Sequence, residues 1–184
     1  MAKPRIALIV GSLAKVSLNR RLAMALAEAG RGRLDFDFVE IGDLPLYDRD
    51  RDADLPETAI RFKQAIAAAD GVLIVTPEYN RSVPSALKNA IDWASRPYGQ
   101  SAWRGKKAAI AGASTGALGT AIAQSHLRII LAHLDVAVLA QPELYVKVTD
   151  ELITVDGRVL SPDFSALLGR YIDRLAAHVG AEAV

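Results

Sequence analysis

Short apolar runs recur along the chain and alternate with segments that carry apolar residues at helical spacing. The first run, Arg5–Val10, is apolar from its second residue onward and ends at Gly11-Ser12, as in strands buried on both faces of a parallel sheet. Three similar runs predict buried strands over residues 71–76, 106–113 and 136–140. Residues 34–41 instead alternate apolar and acidic positions, which indicates a half-exposed strand at a sheet edge.

Helix signals fill the segments between these runs. Residues 19–29 are rich in strong helix formers, and Ser17 or Asn19 can cap their start. The apolar spacing predicts four further helices, over residues 57–69, 84–94, 117–133 and 163–179.

The carboxyl-terminal part departs from this alternation. Residues 145–155 and 158–160 flank Asp156-Gly157, a short-turn signal, and predict a small hairpin before the last helix. Strands that alternate with helices are joined by right-handed crossovers in a parallel sheet. The chain is therefore predicted to be a single α/β domain over residues 1–184. Its doubly wound, five-stranded parallel sheet has the order 2-1-3-4-5, with helices on both faces.

The composition removes several classes of function. Lys and Arg total 22 against 21 Asp and Glu, a net charge of +1, without the basic block that nucleic-acid binding needs. The lack of cysteine rules out disulfides, thiolate catalysis and Cys-ligated metals. The apolar run near the amino terminus is too short for a signal peptide or a membrane span, so we expect a cytoplasmic protein without membrane association.

Ligands of such sheets bind beyond the carboxyl ends of the strands, where three loops carry distinctive residues. The loop over 11–20 lacks both the dinucleotide-binding glycine pattern and the lysine of ATP-binding loops. It offers hydroxyls, an Asn amide, Arg20 and the free N–H groups of a helix start, which suit one terminal phosphate monoester. The alternative is that Ser17 and Asn19 only cap the helix.

The loops after the third and fourth strands differ in character. Prolines restrict the loop over 76–84, which holds Glu78 as an acid–base candidate and Tyr79 as a stacking candidate. In the alternative interpretation, Glu78 is solvated and Tyr79 packs at a subunit contact. The loop over 112–119 has three glycines and two hydroxyls, so a flat ring or a phosphate can approach it closely.

Two other functional classes fail because the required residues are not in place. A receiver-type domain needs a carboxylate pair after the first strand, where this chain has Gly11-Ser12. A serine hydrolase needs a G-x-S-x-G turn together with a matched His, and the chain does not have the two in the required arrangement. His126 and His133 share one predicted helix without further ligands at matching spacing, so no metal site is expected.

Four motifs carry a resemblance to a known family. They are Gly11-Ser12 with Ser17-Leu18-Asn19-Arg20, then Thr76 to Asn80, then the block from Ser82 to Trp93, and finally Gly112 to Gly116. Together they resemble the NAD(P)H-dependent FMN reductase family, and most of all its soluble quinone, chromate and ferric-complex reductases. The resemblance implies a flavodoxin-like fold, a tightly held FMN, and a homodimer or tetramer.

The resemblance also implies roles for particular residues. Around the FMN phosphate it places Ser12, Ser17, Leu18, Asn19 and Arg20. Against the isoalloxazine ring it places Pro77, Glu78, Tyr79, Asn80 and Ser82, with Ser114, Thr115 and Gly116 on the other side. No catalytic side chain is expected, because flavin N5 carries the hydride. Arg96 is a candidate contact for the nicotinamide or the acceptor, or else belongs to a surface ion pair.

In this family hydride passes from NADH or NADPH to the flavin, and a small acceptor then takes the electrons from the reduced flavin in the same slot. The resemblance therefore implies an oxidoreductase acting on quinones, chromate or ferric complexes. Two alternatives share the flavin but not this activity. An electron-carrier flavodoxin is usually strongly acidic, unlike this chain, and a flavin sensor would bind FMN without oxidising NAD(P)H.

Overall fold

The apolar runs form the strands of one parallel sheet. A computed structural model describes residues 2–149 and 151–180, so Met1, Asp150 and residues 181–184 lie outside the described part. The strands are β1 (Arg5–Val10), β2 (Asp35–Val39), β3 (Gly71–Val75), β4 (Lys107–Ser114), β5 (Ala137–Val138) and β6 (Leu144–Lys147). They lie in the order β2-β1-β3-β4-β5, with β6 also pairing with β4, and all neighbours are parallel. The predicted order is confirmed, with β2 at the edge.

Within the described residues, five α-helices cover the two faces of this sheet. They are α1 (Leu18–Ala29), α2 (Glu57–Ala68), α3 (Ser85–Ala94), α4 (Ala121–His133) and α5 (Pro162–Val179). Successive residues of β1 divide between two apolar clusters: Ile6 and Leu8 pack with α1 and α5, whereas Ala7 and Ile9 pack with α2, α3 and α4. Because side chains alternate across a strand, a continuous apolar run serves both faces, as predicted.

The predicted carboxyl-terminal hairpin forms only close to its turn, and the first part of its predicted first arm belongs to the sheet instead. Leu144–Lys147 pairs in parallel with the carboxyl half of β4 and continues the edge position that β5 begins, so the sheet has a sixth strand. Its alternating burial fits a parallel edge strand as well as a hairpin, and the upper half of β4 needs a partner for its backbone groups. In the described tail, Ile153 and Val159 form an isolated antiparallel bridge around the Asp156-Gly157 turn. Asp150, inside the predicted hairpin, lies outside the described residues.

Helix α4 begins at Ala121 rather than at residue 117. The chain first makes a turn in which the Gly119 N–H donates to the Gly116 carbonyl at 3.2 Å. Thr120 is fully buried, and its Oγ1 accepts a hydrogen bond from Gln124 Nε2 at 2.9 Å. Gln124 Nε2 also donates to the Leu144 carbonyl at 3.0 Å. The start of α4 is therefore anchored to β6.

Candidate active site

Three loops leave the carboxyl edge of the sheet side by side. The first loop (residues 11–17) follows β1, the second loop (residues 76–84) follows β3, and the third loop (residues 115–120) follows β4. Each of them exposes large apolar side chains, namely Leu13, Val16, Tyr79 and Leu118. Exposed apolar side chains on neighbouring loops are typical of ligand sites. We call the space bounded by these loops the three-loop slot.

The first loop ends at the start of α1, where no acidic side chain of the first turn offsets the partial positive charge of the helix. Ser17 caps α1, and its Oγ accepts a hydrogen bond from the Arg20 N–H at 3.2 Å, which confirms the predicted cap. The first turn of α1 contains no acidic residue. Because a helix amino terminus carries partial positive charge and free N–H groups, this end suits an anionic group. Ser12 precedes it on the loop, and its Oγ accepts a hydrogen bond from the Ala14 N–H at 3.4 Å.

The side chain of Asn19 is directed at β4, inside the protein, which the sequence did not predict. It is buried, its Nδ2 donates to the Ala113 carbonyl at 2.9 Å, and its Oδ1 accepts from the Ala113 N–H at 2.9 Å. The last hydrogen bond that the β3 side donates to β4 runs from the Thr76 N–H to the Ala111 carbonyl. The residue after Thr76 is Pro77, which has no N–H with which to continue the ladder. The Asn19 amide thus takes the place of a neighbouring strand and ties α1 to β4.

The side chain of Arg20 extends from beside the first loop toward β2. Its guanidinium donates to Glu40 Oε1 at 3.1 Å and lies 5.7 Å from the centroid of the Phe38 ring. These three residues line a cavity of about 330 Å³ that also touches Ser12. Leu18 packs against the apolar cluster beneath α1. The side chains of Ser12 and Ser17 therefore lie at the start of α1, whereas those of Leu18, Asn19 and Arg20 are engaged elsewhere. The phosphate contacts of all five residues stay predictions.

The second loop contains a two-residue hairpin. Tyr79 and Ser82 exchange backbone hydrogen bonds of 3.1 and 3.0 Å, and the residues between them, Asn80 and Arg81, have φ values of 51° and 62°. Two successive residues with positive φ are typical of a type I′ turn. The turn presents Tyr79, about half exposed, beside the buried Pro77.

The left-handed conformation of Arg81 predicts a stabilising substitution. We expect Arg81→Gly to raise the free energy of unfolding by about 0.5–1 kcal/mol, because glycine adopts this backbone conformation without a Cβ clash. Urea denaturation measures the change. Asn80→Gly is the matched control with a smaller gain, since asparagine tolerates positive φ. A loss of stability in Arg81→Gly would instead show that its 3.5 Å contact with Glu78 outweighs the strain.

Two side chains of the second loop bind helix α4. Glu78 Oε2 accepts hydrogen bonds from the Ile122 and Ala123 N–H groups at 3.1 and 3.0 Å, and its side chain is 8% exposed. Ser82 Oγ lies 3.0 Å from His126 Nδ1. Glu78 is therefore neither solvated nor free for acid–base work. Sequence reasoning missed this role because the partners lie more than forty residues away.

The third loop folds around the Ser114 hydroxyl at its start. Ser114 Oγ donates to the Gly119 carbonyl at 2.8 Å and accepts from the Gly116 N–H at 3.1 Å. Thr115 and Gly116 are exposed next to it. The structure thus leaves Thr115 and Gly116 accessible beside the second loop, while Ser114 shapes the turn.

Arg96 does not reach the three-loop slot within one chain. It follows the far end of the ten-residue helix α3, a distance of about 15 Å along the helix axis. Its guanidinium lies 3.9 Å from Asp52 and 5.8 Å from the centroid of the Tyr47 ring. The structure therefore shows the ion pair that the sequence left as the alternative for Arg96.

Asn89 and Trp93, from the motif that runs from Ser82 to Trp93, bind the chain segment that follows β2. Trp93 Nε1 and Asn89 Nδ2 donate to the Pro45 carbonyl at 2.7 and 2.9 Å. Asn89 Oδ1 accepts from the Tyr47 N–H at 2.8 Å, and the Tyr47 ring meets Trp93 edge-on. Burial and a hydrogen bond to Asp52 raise the pKa of Tyr47. Asn89 and Trp93 therefore act in folding rather than in the slot.

Comparison with known proteins supplies independent evidence. The sequence model of NADPH-dependent FMN reductases matches residues 4–150. A 2-hydroxy-1,4-benzoquinone reductase of a Burkholderia species is 55% identical over 175 residues, which cover 95% of this chain and 96% of the relative. A quinone reductase of Pseudomonas putida is 47% identical over 175 residues, covering 95% of this chain and 94% of that protein.

A solved structure shows the same similarity in three dimensions. FerB from Paracoccus denitrificans, described as a flavoenzyme NAD(P)H:(acceptor) oxidoreductase, superposes with a TM-score of 0.92 at 43% identity, over 96% of this chain and 97% of that chain. The span matched by the family model includes all three loops of the slot. By family match, sequence identity and fold, the chain belongs to the NADPH-dependent FMN reductase family, whose members are oxidoreductases.

Proposed function

We propose that this protein is an NAD(P)H:acceptor oxidoreductase that holds FMN in the three-loop slot and reduces small quinones. The observation that carries the proposal is the start of α1, which has a serine cap, no acidic residue in its first turn and exposed apolar side chains around it. A phosphate group and a flat ring are the two parts of FMN that these features suit.

The phosphate end of the cofactor fits the first loop. The N–H groups at the start of α1 and the hydroxyls of Ser12 and Ser17 are the donors that a phosphate monoester needs. The start of α4 does not compete for the phosphate, because the Glu78 carboxylate already occupies its first-turn N–H groups. This difference between the two helix starts gives the cofactor one orientation.

The ring end fits between the second and third loops. Tyr79 and Leu118 offer exposed apolar surface, and Asn80, Thr115 and Gly116 bring exposed polar backbone close to it. Bound FMN would accept hydride from NAD(P)H and pass the two electrons to the acceptor. The residues of the slot would orient the ring and stabilise its charge, a task that does not require a free carboxylate.

The substrates and assembly follow from the same reasoning. The relatives named as quinone reductases support small quinones as acceptors, and an exposed slot also suits chromate and ferric complexes. Arg96 would meet a flavin only from a second copy, so its role in binding nicotinamide depends on a homodimer or tetramer.

We place the enzyme in the cytoplasm, where NAD(P)H is available, and propose neither nucleic acid nor membrane as a partner. Within residues 2–149 and 151–180, every helix is too short or too polar to span a bilayer.

Anaerobic mixing of the FMN-loaded protein with NADH, and separately with NADPH, tests the proposal. We expect the yellow flavin to bleach with at least one nucleotide and to recover when a quinone is added. A flavin that stays oxidised with both nucleotides, yet is reduced by dithionite, would identify an electron carrier or sensor instead. Chromate, azo dyes and ferric chelates in the second step measure the breadth of acceptors.

A further inference from the structure

One carboxylate joins the second and third loops from inside the protein. Glu78 lies on the second loop, and the two N–H groups that it binds belong to Ile122 and Ala123, directly after the third loop. Its side chain is 8% exposed, so little water competes for these bonds. The contact therefore links the two loops beneath the slot.

Helix α4 depends on this contact for its cap. The first N–H groups of a helix lack partners within the helix, and Thr120, at the cap position, makes no capping bond with its side chain. No acidic residue lies in the first turn of α4. The Glu78 carboxylate therefore supplies both the acceptor and the negative charge, and charge-assisted bonds of this kind are stronger than neutral ones.

A second contact continues along the same side of α4. Ser82 Oγ lies 3.0 Å from His126 Nδ1, one helical turn beyond Ile122. The two contacts bracket the Tyr79 to Ser82 hairpin, which offers Tyr79 to the slot. On the opposite side, the start of α4 is held by Thr120 and Gln124. The hairpin is thus fastened to an element that is itself fixed to the sheet.

We propose that Glu78 is a positioning residue that sets the separation of the two loops holding the flavin ring. The inference rests on the proposed function, because the ligand in the slot is taken to be FMN. It gives Glu78 no part in proton transfer. Loss of the carboxylate leaves the Ser82–His126 contact to hold the hairpin to α4. The hairpin is then less firmly placed, so binding of the ring weakens while the phosphate site at α1 is unchanged.

Titration of apoprotein variants with FMN and with riboflavin separates these two ends. Glu78→Ala is expected to weaken the binding of both flavins by a similar factor, about tenfold or more, since two charge-assisted bonds are lost. Glu78→Gln keeps an acceptor oxygen and is expected to stay within about threefold of wild type. Ser17→Ala is the matched control, because loss of a group near the phosphate weakens FMN but not riboflavin. Amide hydrogen exchange at Ile122 and Ala123 is expected to accelerate in Glu78→Ala alone.

Several outcomes would overturn the positioning role. These are wild-type affinity of Glu78→Ala for both flavins, loss of FMN binding without loss of riboflavin binding, or equal weakening in Glu78→Gln and Glu78→Ala. If Glu78→Ala does not fold, His126→Ala removes the second contact and is expected to weaken both flavins about threefold. Unchanged binding in His126→Ala would then count against the proposal. Wild-type protein that binds neither flavin would overturn the proposed function itself, which is a different result.

Discussion

Asn19→Ala is expected to lower the free energy of unfolding of the flavin-free protein by about 2–4 kcal/mol. The substitution removes both 2.9 Å bonds to Ala113 and leaves a buried N–H and a buried carbonyl without partners. No strand can take over, because the ladder from β3 ends at Ala111. Chemical denaturation of the apoprotein, monitored by circular dichroism, measures the loss.

Arg20→Ala is the control for this prediction. Arg20 follows Asn19 on the same helix but is exposed and pairs with Glu40 at the surface, so its removal is expected to cost less than about 1 kcal/mol. If Asn19 instead contacted the phosphate alone, apoprotein stability would be unchanged and Asn19→Ala would lose affinity for FMN but not for riboflavin. That pattern would contradict the structural role.

Gly112→Ala is expected to destabilise the protein by about 3 kcal/mol or more, and to lower its melting temperature by about 6–12 °C. A Cβ at Gly112 would lie 2.5 Å from the Thr76 carbonyl oxygen and closer still to Thr120 Oγ1. Both neighbours are fully buried, so neither can move aside without disturbing the second loop or the start of α4. Flavin binding is expected to fall together with stability.

Gly169→Ala provides the comparison for Gly112→Ala. Gly169 lies in α5, and a Cβ there would meet no atom within 4 Å. Alanine is the better helix former, so this variant is expected to gain about 0.5–1 kcal/mol. Thermal melts of the two variants and of wild type measure the melting temperatures that are compared. Equal melting temperatures for Gly112→Ala and wild type would show that β4 and α4 can separate at this point.

The central strands were predictable because their signal is local. A continuous apolar run such as Arg5–Val10 needs cover on both faces, and only a central strand of a parallel sheet has it. The end of the sheet was not predictable in the same way. Leu144–Lys147 has an alternating pattern that fits parallel and antiparallel neighbours alike, and its pairing depends on the free half of β4.

The same difference between local and long-range signals applies to the residues of the candidate site. The Ser17 cap was predictable, since capping uses an N–H three residues away. Asn19 and Glu78 were placed on the correct loops, but the sequence did not reveal their hydrogen-bond partners, which lie 94 and 44 residues away along the chain. Arg96 was expected near the slot from its place after α3, but the length of α3 carries it away.

The sequence by itself determined the family, the strand order and the three loops at one edge of the sheet, because motifs and apolar periodicity are properties of neighbouring residues. Only the tertiary structure decided what the polar side chains of those loops do. A polar group that becomes buried must find a hydrogen-bond partner among the groups buried with it. For Glu78 and Asn19 those groups are brought together by the packing of α4 and β4, which no local pattern encodes.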